Sequence, residues 1–243
     1  FNSVYTQLGE IRFQAIYNSA KYIGGGAMHR RAQLFADAVL GRLAPLQVEH
    51  MIAEKRNKDY LLSYSLLPLS PDNDELLHRY EFIHQFHVAS RQFGAQRRTS
   101  EEKAVEISLN NLAHNAGYAD VHRFTWSMET EKIRTVEKYL RPQTVGDVEL
   151  WLELDQQGTA SITALSNGKS LKSIPTRIKN DPYVGQIQEV QKALRGQHNR
   201  ARASLERAMI TQDTFSLAEL EILSRNPVLA PLLRNLVFMN GTT

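Results

Sequence analysis

Between Val148 and Leu154 the apolar residues change period, and this change constrains the fold more than any other feature of the chain. Val148, Leu150, Leu152 and Leu154 alternate with Glu149, Trp151 and Glu153, the two-residue repeat of a strand with one buried face. Before Leu140 and after Pro182 the apolar residues instead fall at helical spacing. Asp155 to Gly158 forms a turn, Ala160 to Leu165 a second strand, and Asn167-Gly168 a tight hairpin turn into a third strand, Ser170 to Ile174. Three strands cannot close on themselves, so one face must pack on helices. The expected fold is mainly α. Residues 1–142 form an irregular, solenoid-like stack of helical hairpins, and residues 143–243 hold a three-stranded antiparallel β-meander and a long-helix bundle that begins a C-terminal domain.

The helices are set by caps and breakers. Leu8, Ile11, Ala15 and Ile16 make one apolar face, and Gly24-Gly25-Gly26 ends that helix. Another helix runs from about Met28 to Leu40, followed by Gly41. Pro45 opens the next, because its missing N–H has no helical partner there. Asp72 and Glu75 form a start signal for a helix with Leu76, Leu77, Tyr80, Ile83 and His87 on one side. Thr99 with Glu102 reads as a capping box, Gly117 as the left-handed residue after a helix, and Asp120 as the next cap. Pro182 starts the longest helix, with Val184, Ile187, Val190, Leu194, Ala201, Leu205 and Ala208 as its apolar stripe and Gly196 as its weak point. Ser216 and Glu219 make a further capping box, with Phe215 positioned to staple onto Leu220. Asn226-Pro227 begins the last helix, and Pro231 should bend it.

Charge is unevenly placed. The chain carries +3 overall, yet residues 169–207 hold nine basic and three acidic residues, for +6. With no Cys, disulfides and thiolate chemistry are excluded within these 243 residues. No apolar run approaches the ~20 residues that span a bilayer, so a membrane partner is not expected and a cytoplasmic location is. The opening on FNSVYTQLGE and the ending on NGTT read as a piece of a longer polypeptide.

No run of residues composes a metal cage, phosphate loop or nucleophile motif. His84 and His87, three apart with His78 nearby, have metal-ligand spacing but no third ligand. The triple glycine lacks the preceding strand and the Lys-Ser/Thr of a nucleotide loop. No cofactor or metal is implied. Arg91, Arg97 and Arg98 gather at a helix start, where either an external anion or an internal network with Glu101 and Glu102 would suit them. Lys192, Arg195, Arg200 and Arg202 lie on the long basic helix, in position to meet nucleic acid phosphates. Trp126 and Trp151 read as core or interface anchors.

The runs HRRAQLFADAVLG, EKRNKDYLLSYSLLPL, RQFGAQRRTSEEKA, NLAHNAGYADVHRFTWSME and ARASLERAMITQDTFSLAELEILSRNPVLAPLLRNLVF resemble the large bacterial proteins labelled molybdate metabolism regulator-like, which share a domain of unknown function sometimes found with a WGR module. The resemblance covers most of the chain and implies a regulatory setting; no WGR module is visible and no catalytic residue is carried over. The leading expectation is a non-catalytic helical scaffold or regulatory segment that meets other domains of its own polypeptide or a protein partner. A nucleic-acid-associated module using residues 169–207 is the alternative, and an enzyme whose site is completed elsewhere, drawing on Arg97, Arg98 or Glu129, is the third.

Overall fold

The computed structural model of the chain describes residues 2–19, 22, 26–70 and 73–239. The expected glycine break at Gly24-Gly25 and the expected cap Asp72 lie outside the described residues. The chain divides into two compact units, Phe1–Phe124 and Thr125–Thr243.

The first unit is an irregular stack of helical hairpins: α1 (Asn2–Ser19), α2 (Gly26–Val39), α3 (Pro45–Lys55), α4 (Lys58–Tyr64), α5 (Asn73–Ala89), α6 (Ala95–Asn115) and the start of α7 (Val121–Val136). Pro45 sits in the first turn of α3, and the Asp120 carboxylate caps α7 by accepting from His122 N and Arg123 N at 2.8 and 2.9 Å. α4 packs on α2, α3 and α6, and α5 packs on α6. This arrangement buries Val48, Ile52, Leu61, Tyr64, Tyr80, Ile83, Phe86, Val105 and Leu112.

Two expectations are corrected here. Leu8, Ile11, Ala15 and Ile16 do not form a buried face. Gly9 adopts φ 73°, ψ 159° inside α1 and breaks the helical register, so that Ile11 is 87% exposed and Phe13 is buried in its place. α1 is instead tied by polar contacts, Tyr17 Oη to Asp37 Oδ2 at 2.8 Å and Arg42 Nη2 to Glu10 Oε1 at 2.9 Å. Thr99 is not a cap either. The helix-forming residues Ala95 to Arg98 carry α6 one turn further back, to the extended residue Gly94, and no side chain caps it.

In the second unit four strands form one antiparallel meander in the order β1 (Gln143–Val145), β2 (Val148–Leu154), β3 (Ala160–Ser166), β4 (Lys169–Ser170). β2 and β3 run where expected, with Leu150 opposite Ala164 and Leu152 opposite Ile162. Asn167 and Gly168 both take positive φ, as the hairpin turn requires. β1 is an addition to the three strands expected, and β4 ends before Ile174. The 30-residue helix α8 (Pro182–Thr211) packs on β2 and β3, burying Val184, Ile187 and Leu194 against Val148, Leu150 and Leu152. Ala160 and Ala164 are the small residues beneath it, and Arg195 Nε donates to Ala160 O at 2.8 Å.

Helix α8 runs through Gly196 unbroken. Its second half, with Ala201 and Leu205, joins Trp126, Leu223, Leu229 and Leu233 in a second core. α9 (Leu217–Ser224) starts from the expected Ser216–Glu219 capping box. The last helix is shorter than expected: α10 is Ala230–Arg234, and Pro231 lies in its first turn, where it causes no bend. Asn226 accepts from Val228 N in the turn before it.

Candidate functional site

A pocket lined by several charged side chains lies in the first unit and begins with an unusual turn. α3 ends at Lys55, and Arg56 follows in the left-handed region (φ 46°, ψ 41°) with its N–H bonded to Ile52 O. Such a conformation is uncommon outside glycine. Asn57 then caps α4 by accepting from Asp59 N at 2.8 Å. This two-residue connection directs the Arg56 side chain to the segment where α5 passes into α6.

There Arg56 meets a buried carboxylate. Glu101, on α6, is 2% exposed. Its Oε2 accepts from Arg56 Nη2 and from Ser90 Oγ, both at 2.6 Å, and its Oε1 accepts from Arg97 Nε at 2.9 Å and Arg56 Nε at 3.2 Å. Arg56 Nη2 also donates to Phe86 O at 3.0 Å. The guanidinium of Arg56 lies 4.0 Å from the Phe86 ring centroid and 5.0 Å from that of Phe93, and Arg97 covers Phe93 at 3.7 Å. Burial alone would raise the Glu101 carboxyl, but hydrogen bonds from Arg56, Ser90 and Arg97 outweigh it and hold the group down at about 2.

Around this pair opens a cavity of about 400 Å³ lined by Arg56, Lys58, Gln96, Arg97, Ser100 and Glu101. Lys58 Nζ donates to Ser100 Oγ at 2.6 Å across it. Three cations and one carboxylate therefore line one concavity. Its chemistry is electrostatic recognition: the carboxylate is saturated by its donors and holds no lone pair in reserve to act as a base.

Of the three arginines expected at this helix start, the structure brings only Arg97 into the pocket. Arg91, in the 3-10 turn Ser90–Gln92, and Arg98, on α6, are exposed and make no side-chain hydrogen bond or ion pair among the described residues. The internal network expected with Glu101 is present, whereas Glu102 stays on the surface. Sequence reasoning missed Arg56, in the turn 45 residues before Glu101, and Lys58, which opens α4 just after it. The only local signal was the Lys-Arg-Asn-Lys run itself, where Asn57 marks a cap. Arg79 was missed as well. It is 1% exposed, donates to Leu67 O and Pro68 O at 2.9 Å, and pairs with Glu75.

The basic helix α8 is less available than its composition indicated. Arg195 is bonded to the sheet, Arg200 is paired with buried Glu129, and Arg202 is paired with Glu206 one turn on. Lys192 alone of the four expected contacts is exposed and without a partner among the described residues. His84 and His87 lie with ring centroids 6.3 Å apart. Among the described residues, no group of three His, Asp or Glu is placed to hold a metal ion, and no helix is long and apolar enough to cross a membrane.

Comparison with known proteins returns two families, both of unknown function. Residues 168–242 match a domain of unknown function, DUF4132. No curated protein and no solved structure matches the chain. Residues 1–128, more than half of the chain and the whole of the Arg56–Glu101 pocket, match a second model, and on that match the chain belongs to the family of unknown function DUF5724.

Proposed function

We propose that the chain is a non-catalytic helical scaffold, a regulatory segment of a larger cytoplasmic multidomain protein of bacterial type, which docks other domains of its polypeptide or a protein partner. The observation that carries this reading is the contrast between buried charges that are paired internally and large apolar side chains that are exposed. Buried charges are engaged in holding helices together: Glu101 with Arg56 and Arg97, Arg79 with Glu75, Glu129 with Arg200. Large apolar side chains, meanwhile, stand in solvent where α8 gives way to α9 and beyond α10. Ile210, Leu217, Val237 and Met239 are 83, 81, 92 and 91% exposed, and where such groups form one contiguous surface another protein covers it.

The aromatic side chains support the same reading. Trp126 in the core stacks on Phe215, and Phe215 meets the half-exposed Phe238 edge to face at 6.4 Å. Buried aromatic anchors continued by exposed ones are characteristic of interface centres. Two consecutive domain families in one chain agree with a multidomain setting. The test is hydrogen exchange of residues 209–239 in this chain alone and in a longer polypeptide carrying it. Protection that appears in the longer protein and is lost in Ile210→Asp/Leu217→Asp supports docking; identical exchange in both would sink the proposal.

A further inference from the structure

The geometry of the Arg56–Lys58–Arg97 cavity points to a second property, independent of the scaffold reading: we infer that it binds a phosphate dianion, free or carried as a monoester.

Once the internal bonds are made, the cavity keeps a set of hydrogen-bonding groups without partners among the described residues. Both Glu101 oxygens are taken, by Arg56, Ser90 and Arg97. Arg97 uses only its Nε, so both terminal nitrogens are unbonded among the described residues. Lys58 uses one of its three N–H groups, on Ser100. Because Ser100 accepts that bond, its own O–H remains to donate. The charged groups left facing the cavity are therefore donors, Ser100 adds an O–H, and Gln96 adds an amide that can turn its NH2 inward, so a ligand made of acceptors is the complement.

Charge decides which acceptor. Arg56, Lys58 and Arg97 against Glu101 leave the lining at +2. A carboxylate ligand would neutralise half of this, whereas a phosphate monoester carries about −1.5 to −2 at neutral pH and presents three acceptor oxygens. Arg97 is also held in place before any ligand arrives. Its Nε is fixed on Glu101 and its face on Phe93, so its two terminal nitrogens present a planar fork at little further loss of side-chain freedom. The volume of about 400 Å³ is within the range of pockets that hold small organic molecules, leaving room for an ester group beside the phosphate.

The experiment is calorimetric titration of the whole chain, at low ionic strength, with inorganic phosphate and with phenyl phosphate. Saturable one-to-one binding is expected, weakened about tenfold or more by Arg97→Gln and by Lys58→Ala, and unchanged by Lys192→Ala on the basic helix. Tighter binding of phenyl phosphate assigns the site to an ester, and equal affinity assigns it to free phosphate. If Arg97→Gln loses its helical circular dichroism, Lys58→Ala decides alone, since Lys58 is exposed and bonded only to Ser100. The absence of saturable binding to either probe, or a loss shared equally by Lys192→Ala, overturns the inference.

Discussion

Glu101 and Glu129 are both buried carboxylates on helices, one in each unit, and they titrate in opposite directions. Glu101 has three donor residues around it and is held down at about 2. Glu129 is raised: its desolvation outweighs the single ion pair with Arg200, whose side chain is 51% exposed, and a weaker attraction to Lys132. Both side chains are nearly inaccessible, at 2% and 6% exposure, but Glu129 lies deeper within the protein and is the more strongly desolvated. Two things differ, the depth of burial and the number of hydrogen bonds aimed at the charge, and the balance between them decides whether a buried carboxylate ties a fold together or merely sits in it. The first unit thus adds a well-bonded charged node to its apolar core, whereas the second relies on apolar packing around a weaker ion pair.

The largest effect expected from breaking this contrast is at Glu101. Glu101→Ala leaves the Arg56 guanidinium without its carboxylate, and removing one partner of a buried pair costs about 3–5 kcal/mol. Hydrogen exchange of the α6 amides should accelerate accordingly; a change no larger than that of an ordinary surface substitution would show that Glu101 is not the fastening point. The same node is acid-sensitive. A carboxyl lowered from 4.5 to about 2 binds fewer protons folded than unfolded, so its contribution is fully present above pH 4.5 and is lost as pH falls toward 2. Glu101→Gln should flatten that part of the first unit's stability profile.

The matching weak point of the second unit is Gly158, in the turn between β2 and β3. It has φ +83°, and an added Cβ would stand 2.5 Å from Val228 O in the turn before α10. Gly158→Ala therefore meets both a backbone clash and an unfavourable conformation, and should cost about 2–3 kcal/mol. Trp126 and Trp151 are the chain's two tryptophans and both belong to this unit, so urea unfolding followed by Trp fluorescence reports it directly. Gly168→Ala is the control. Its φ is +74° but its Cβ would meet nothing within 4 Å, so about 1 kcal/mol is expected from conformation alone. Equal losses at the two glycines would remove the case for the backbone contact.

The same contrast explains what the sequence made legible. Asp120, the Ser216–Glu219 pair, Pro45 and Asn167-Gly168 act on residues within three or four positions, and each formed the cap or turn expected of it. The period change at Val148 located β2 and β3 because a half-buried strand writes its pleat into the sequence. β1 escaped because three residues with one buried position carry no repeat. The apolar face of α1 failed because Gly9 changes the register within it. The pocket was legible only at Arg97 and Glu101, four residues apart on one helix. Arg56, Lys58 and Ser90 reach it through tertiary packing, and no local pattern reports that Arg56 turns left-handed to face Glu101.

The smallest predicted effect is also the sharpest test of the comparison. Glu129→Gln removes a charge whose desolvation the single Arg200 pair does not fully offset, so stability at neutral pH should move by no more than about 1 kcal/mol. Its pH dependence is the diagnostic part. A carboxyl raised in the folded state binds more protons folded than unfolded, so its contribution is fully present below the unfolded value of 4.5 and is lost as pH rises through the higher folded value. The wild-type second unit should therefore lose stability relative to Glu129→Gln over that interval on raising the pH, opposite in sign to the difference between wild type and Glu101→Gln in the first unit. Arg200→Ala should move the Glu129 transition further upward by removing the principal group that opposes desolvation. If the two glutamine variants gave slopes of the same sign, the balance of hydrogen bonds against desolvation would not be what separates the two carboxylates.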